Sequence, residues 1–155
     1  MLHNYSLTKK LAVKYSNDTV TANLIIAVAK TESGFKFNVV SDKGAKGLMQ
    51  LKDQTFIFVS DKYSMGFGYD DVLDPEKNVM AGAKYLQYLL ERFSDLDTAL
   101  CAYNAGEGNV SAWLKDRRYS VDGKTIFHVP YPETEDYVKK VKKNLDFFKR
   151  INGDI

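Results

Sequence analysis

Apolar side chains recur every three or four residues along most of this chain and alternate almost nowhere, so helices must supply the fold. Val20, Leu24 and Val28 form one such stripe, with Ile25 and Ala29 beside it. This helix is expected to start at an N-cap on Asp18 or Thr19 and to end at Ser33-Gly34, where glycine suits the left-handed position after a last turn. A weaker helix is expected over residues 6–15, aligned on Leu7, Leu11 and Tyr15. Asp74-Pro75-Glu76 announces another, with a capping carboxylate, proline at the first position and an acid in the first turn. Val79, Ala83, Leu86, Leu90 and Phe93 then keep the period. Shorter helices are expected over 96–103, stopping at Asn104-Ala105-Gly106, and over 110–114. A last one starts near Thr134, with Tyr137, Val138, Val141, Leu145 and Phe148 inward. Residues 119–129, around Asp122-Gly123, suit a small hairpin or an ordered loop. The expectation is one mainly α domain over residues 1–155, with at most that hairpin.

Composition narrows the chemistry. Twenty-two basic against 20 acidic residues leave a formal charge of +2, too balanced to mark a nucleic-acid binder. One cysteine, Cys101, and two distant histidines, His3 and His128, offer neither a disulfide framework nor metal-ligand spacing, so no metal and no cofactor are expected. The longest apolar run, residues 24–29, falls far below the roughly 18 to 20 residues of a membrane span. Residues 1–10 do not read as a signal peptide. A monomer is expected.

One carboxylate stands where helix physics favours an acid. Glu32 lies four residues after Val28 and seven after Ile25, so it continues the apolar stripe at the end of its helix. Burial and the negative end of the helix dipole both favour the protonated form, which is what general acid catalysis of glycoside cleavage uses. The same residue also fits an outward-pointing, frayed last turn. Gly44 and Gly47 precede Leu48-Met49-Gln50, and glycine there allows close backbone approach to a ligand. Gln50 would hydrogen-bond a polar substrate and Met49 would pack on a sugar face; the alternative is a plain loop leading into the next helix. Tyr103 and Asn104 set an aromatic ring beside an amide, which suits an N-acetylated sugar. A helix cap with Tyr103 in the core is the competing reading.

Taken in order, Thr31-Glu32-Ser33, Gly44-Ala45-x-Gly47-Leu48-Met49-Gln50, Asp74-Pro75 with Asn78, Ala102-Tyr103-Asn104-Ala105-Gly106 and Pro132-Glu133-Thr134-x-x-Tyr137-Val138 resemble the catalytic domain of the soluble lytic transglycosylases. The match runs from about Tyr15 to Val141. The resemblance implies a lysozyme-like helical fold that binds peptidoglycan glycan strands. It further implies non-hydrolytic cleavage between N-acetylmuramic acid and N-acetylglucosamine, leaving a 1,6-anhydro end. Glu32 would be the sole acid and base, with Ser33 near it. Met49 and Gln50 would line the cleft, Tyr103 and Asn104 contact sugar, and Glu133 and Tyr137 form the far wall. Two other functions are open: a hydrolytic muramidase of goose-lysozyme type, and a peptidoglycan-binding module without catalysis. The implied substrate places the chain in the cell envelope or outside the cell. One departure is that the family often carries proline two or three residues after Leu-Met-Gln, where this chain has Lys52-Asp53.

Overall fold

Several helices here begin where a side chain or a proline answers their orphan amides, and those ending at Ser33 and Asn152 stop where a glycine turns the backbone left-handed. The computed structural model describes residues 2–93 and 95–155. Among these the chain forms seven α-helices and isolated β-bridges without strands, so it is mainly α as expected. The helices are α1 (Leu2–Tyr15), α2 (Ala22–Ser33), α3 (Asp53–Lys62), α4 (Pro75–Arg92), α5 (Leu96–Ala105), α6 (Glu107–Leu114) and α7 (Pro132–Asn152).

Several boundaries differ from the sequence expectation, each for a local reason. The cap of α2 is Thr21, whose hydroxyl accepts the Leu24 amide, and not Asp18 or Thr19. Asn17 takes the Thr19 and Val20 amides on its side-chain oxygen, and this turn keeps those residues out of the helix. Likewise α1 starts at Leu2, four residues early, and α7 at Pro132, where proline loses nothing by lacking an amide hydrogen. At α4 the sequence reading holds: the Asp74 carboxylate accepts the Lys77 amide directly before Pro75. Asp95 caps α5 in the same way through the Thr98 amide. Asp53, which stands in the region of the missing proline, is the first residue of α3.

Residues 119–129 form a closed loop, not a hairpin. Asp122 gathers the Lys124 and Thr125 amides, and the Ser120 hydroxyl donates to the Thr125 carbonyl while accepting the Gly123 amide. Those bonds consume the groups that a two-stranded ladder would have paired. The Phe127 amide closes the neck on the Tyr119 carbonyl at 2.9 Å.

The chain folds as two compact units, one of residues up to Tyr85 together with Asn144–Ile155, the other Leu86–Lys143. In the first, α2 is buried on every side from Ala22 to Ala29, as an all-round apolar helix must be. Glu76 at the start of α4 accepts from both Lys14 and Tyr15 and so ties down the end of α1. In the second, Leu100, Cys101, Val110 and Trp113 are buried; Trp113 meets Tyr131 edge-on at 4.9 Å, which makes it a packing residue. The inward stripe of α7 is buried as its spacing required, and Lys139, Lys140, Lys142 and Lys143 are exposed. Among the described residues no helix is long and apolar enough to cross a membrane.

Candidate active site

In the first unit the site is built at the end of α2. Its buried run ends at Ala29, and Lys30, Thr31 and Glu32 are partly buried, so the helix reaches the surface within one turn. Both neighbours of Glu32 are turned back on their own helix. Thr31 donates to the Ala27 carbonyl at 2.8 Å and accepts from Asn144, while Ser33, itself buried, donates to the Ala29 carbonyl at 3.0 Å. Glu32 is the only acid in α2. Gly34 then closes the helix with φ 60° and donates its amide hydrogen to the Lys30 carbonyl, and Phe35 follows at φ 67°. A non-glycine residue in the left-handed region is strained and persists only where packing over-determines it. That packing is an aromatic cluster: Phe35 lies 5.5 Å from the Tyr5 ring and 6.0 Å from that of Phe148, and its carbonyl accepts from Asn4. The end of α2 is thereby anchored to α1 and α7.

The glycine-rich loop belongs to the same unit. Gly47 has φ 76°, and a Cβ there would sit 2.6 Å from the Asn78 amide nitrogen, so both the backbone angle and the space require glycine. Asn78 is fully buried; it accepts the Met49 amide at 2.7 Å and donates to the carbonyls of Lys46 and Val72. This clamp role was not assigned from sequence, although a polar amide in the first turn of a helix beside the inward Val79 was the available signal. Met49 has no exposed surface, and Gly82 of α4 lies against it so closely that a Cβ would fall 2.7 Å from its Cγ. The expectation that Met49 packs on a sugar face is corrected accordingly: its side chain fills the core behind the loop, because a thioether gains more from that apolar gap than from water. Gln50 adopts φ 49°, and its side-chain nitrogen donates to the carbonyls of Val39 and Gly47. With both donors engaged, Oε1 is the atom left to meet a ligand, as an acceptor.

In the second unit Asn104 lies in the last turn of α5, and its Oδ1 accepts the hydroxyl of buried Thr134 at 2.8 Å. That bond fixes which way the amide faces and assigns its nitrogen as a donor to any ligand. Tyr103 stacks on Tyr137 with ring centroids 6.5 Å apart and planes 8° from parallel. Tyr103 keeps partial exposure, Tyr137 is buried, and Glu133 is exposed in the first turn of α7.

Comparison with known proteins gives a consistent result. The family model described as the transglycosylase SLT domain matches residues 10–126. The soluble lytic murein transglycosylase of Escherichia coli K12 is 33% identical over 144 residues, which cover 90% of this chain and 22% of that protein. A transglycosylase of Enterobacteria phage PRD1 is 33% identical over 96 residues, 62% of this chain and 33% of that one. The crystal structure of the 70 kDa soluble lytic transglycosylase from Escherichia coli superposes with a TM-score of 0.81 at 29% identity, covering 94% of this chain and 24% of that one. An inactive glutamate-to-glutamine mutant of the lytic transglycosylase Slt from Pseudomonas aeruginosa gives 0.78 at 29% identity, over 97% of this chain and 25% of that one. The chain thus spans about a quarter of these bacterial relatives. With the family model matched over most of its length, the chain belongs to the SLT transglycosylase domain family.

Proposed function

We propose that this chain is a peptidoglycan lytic transglycosylase that cuts the β-1,4 bond between N-acetylmuramic acid and N-acetylglucosamine. The observation that carries this reading is the placement of Glu32, the only acid of α2, at the turn where that buried helix reaches the surface. The inactive glutamate-to-glutamine mutant among the structural relatives supports a mechanism that turns on one glutamate.

In this reading protonated Glu32 gives its proton to the glycosidic oxygen as the C1–O bond breaks. The acetamido oxygen of the same muramic acid stabilises the cationic C1. Ionised Glu32 then accepts the proton of that sugar's C6 hydroxyl as the oxygen attacks C1, which closes the 1,6-anhydro ring and restores the acid. No water is consumed. An intramolecular hydroxyl has an effective molarity on the order of 10⁵ M or more, so it outcompetes water. Ser33 supports the turn that presents Glu32, Gln50 accepts from a sugar hydroxyl, and Met49 backs the loop that carries Gln50. Asn104 donates to an acetamido carbonyl, Tyr103 offers its ring to a sugar face with Tyr137 stacked behind it, and Glu133 meets the strand at the rim. The substrate places the working protein in the cell envelope or outside the cell, as a monomer.

The test is digestion of purified sacculi followed by mass spectrometry of the fragments. An anhydro product, one water lighter than the hydrolytic one, is expected, and Glu32→Gln should lose at least about 10²-fold to 10⁴-fold in rate while keeping its fold. A hydrated reducing end would assign the muramidase reaction instead, and no cleavage at all would leave a binding module.

A further inference from the structure

The Gly47–Gln50 turn is held from two sides. On the buried side stands the Asn78 clamp. At the base, the Lys46 and Leu51 amides each donate to the other residue's carbonyl, at 2.9 and 3.0 Å. On the open side, the Lys46 ammonium spans both oxygens of Asp53, at 2.9 and 3.0 Å. The pair is partly screened from water, with the two side chains 27% and 41% exposed. Asp53 also opens α3, where a carboxylate meets the positive end of the helix. The base of the turn is thus pinned to the first residue of the following helix, one end through Lys46 and the other through the short link from Leu51 to Asp53.

That pin matters because of Gln50. At φ 49° a glutamine lies in a sparsely populated region and relaxes unless its surroundings prevent it. Its two side-chain bonds, to Val39 and Gly47, exist only while the turn keeps its shape. We propose that Lys46 and Asp53 are positioning residues, whose ion pair keeps the Gln50 backbone left-handed and its Oε1 placed to accept a hydroxyl of the glycan strand. The glycan part of this inference rests on the function proposed above; the restraint on the turn does not.

The experiment combines hydrogen exchange with steady-state kinetics on purified peptidoglycan. Lys46→Met and Asp53→Asn should each speed exchange at the Lys46 and Leu51 amides about twofold to fivefold, the range for an exposed ion pair. KM should rise by a similar factor with kcat nearly unchanged, since a contact made equally before and during the reaction acts on binding alone. The double variant should be no worse than either single one, and Lys46→Arg should restore both readouts. Additive losses in the double variant, or wild-type exchange in the single variants, would overturn the positioning role. Failure of the wild-type protein to bind peptidoglycan would overturn the glycan assignment itself, with the exchange data still judging the turn.

Discussion

Replacing Gly82 by alanine sets two effects of similar size against each other. In a helix interior the exchange ordinarily stabilises by about 1 kcal/mol, because glycine gives up more backbone entropy on folding. Here the new methyl carbon would lie 2.7, 2.8 and 2.9 Å from Met49 Cγ, Cβ and Cε, so Met49 must move. Overpacking of this kind costs about 1–3 kcal/mol, and in a fully buried site the overpacking wins. The net expectation is a destabilisation of about 1 kcal/mol, read in differential scanning calorimetry as a fall in Tm of about 2–4 °C. Met49→Ala alone should cost about 2–5 kcal/mol by leaving a cavity. The Gly82→Ala methyl fills part of that cavity, so the double variant should be less damaged than the two single effects summed. Gly108→Ala in α6 is the control: no atom lies within 4 Å of its Cβ position, and stability should hold or rise. A higher Tm for Gly82→Ala would refute the packing of Met49 on α4, and with it the correction made to that residue's role.

Other outcomes follow from single contacts. Thr134→Val removes the donor to Asn104 Oδ1; it should cost about 1 kcal/mol in urea denaturation and lower activity on sacculi by freeing the amide to turn over. The Thr125 and Lys124 amides, followed by the Thr125 hydroxyl, hold the Asp122 carboxyl down at about 2, against 3.8 for the free side chain. Its contribution is therefore complete above about pH 4 and is lost as pH falls toward 2, and Asp122→Asn should remove that part of the acid sensitivity in a pH series of melts. Burial pushes the Cys101 thiol up to about 12, so a maleimide should leave it unlabelled at neutral pH until the protein unfolds.

What could be read in advance was whatever depends on a few neighbouring residues. Asp74-Pro75 caps α4 where it should, and the buried apolar positions of α7 are the five that its spacing picked out. Glu32 was legible as a carboxylate on an apolar stripe, though it ends partly buried in a turn that emerges from the core. The misses share a cause, competition between bonds that are equally local. Asn17 captured the amides that would have begun α2 early; over 119–129, where a hairpin and an ordered loop were both open, Asp122 and Ser120 decided for the loop. Other features arise only when distant segments meet. Met49 found its place against Gly82, and Asn78 found its partners 29 and 32 residues back in the chain. No periodicity encodes such pairings.

The beginning of α2 has its own long-range dependence. Buried Asn23 donates its backbone amide to Ile155 and its side-chain amide to Gly153, while its oxygen accepts from Asn152, 129 residues away. During ribosomal synthesis these partners emerge roughly 130 residues after Asn23, so the start of the helix bearing Glu32 stays incompletely bonded until they appear. Contacts of such separation also slow folding, since a long stretch must be ordered before they repay it. A nascent chain would thus complete the start of the helix that carries Glu32 only after residues 152–155 have been made.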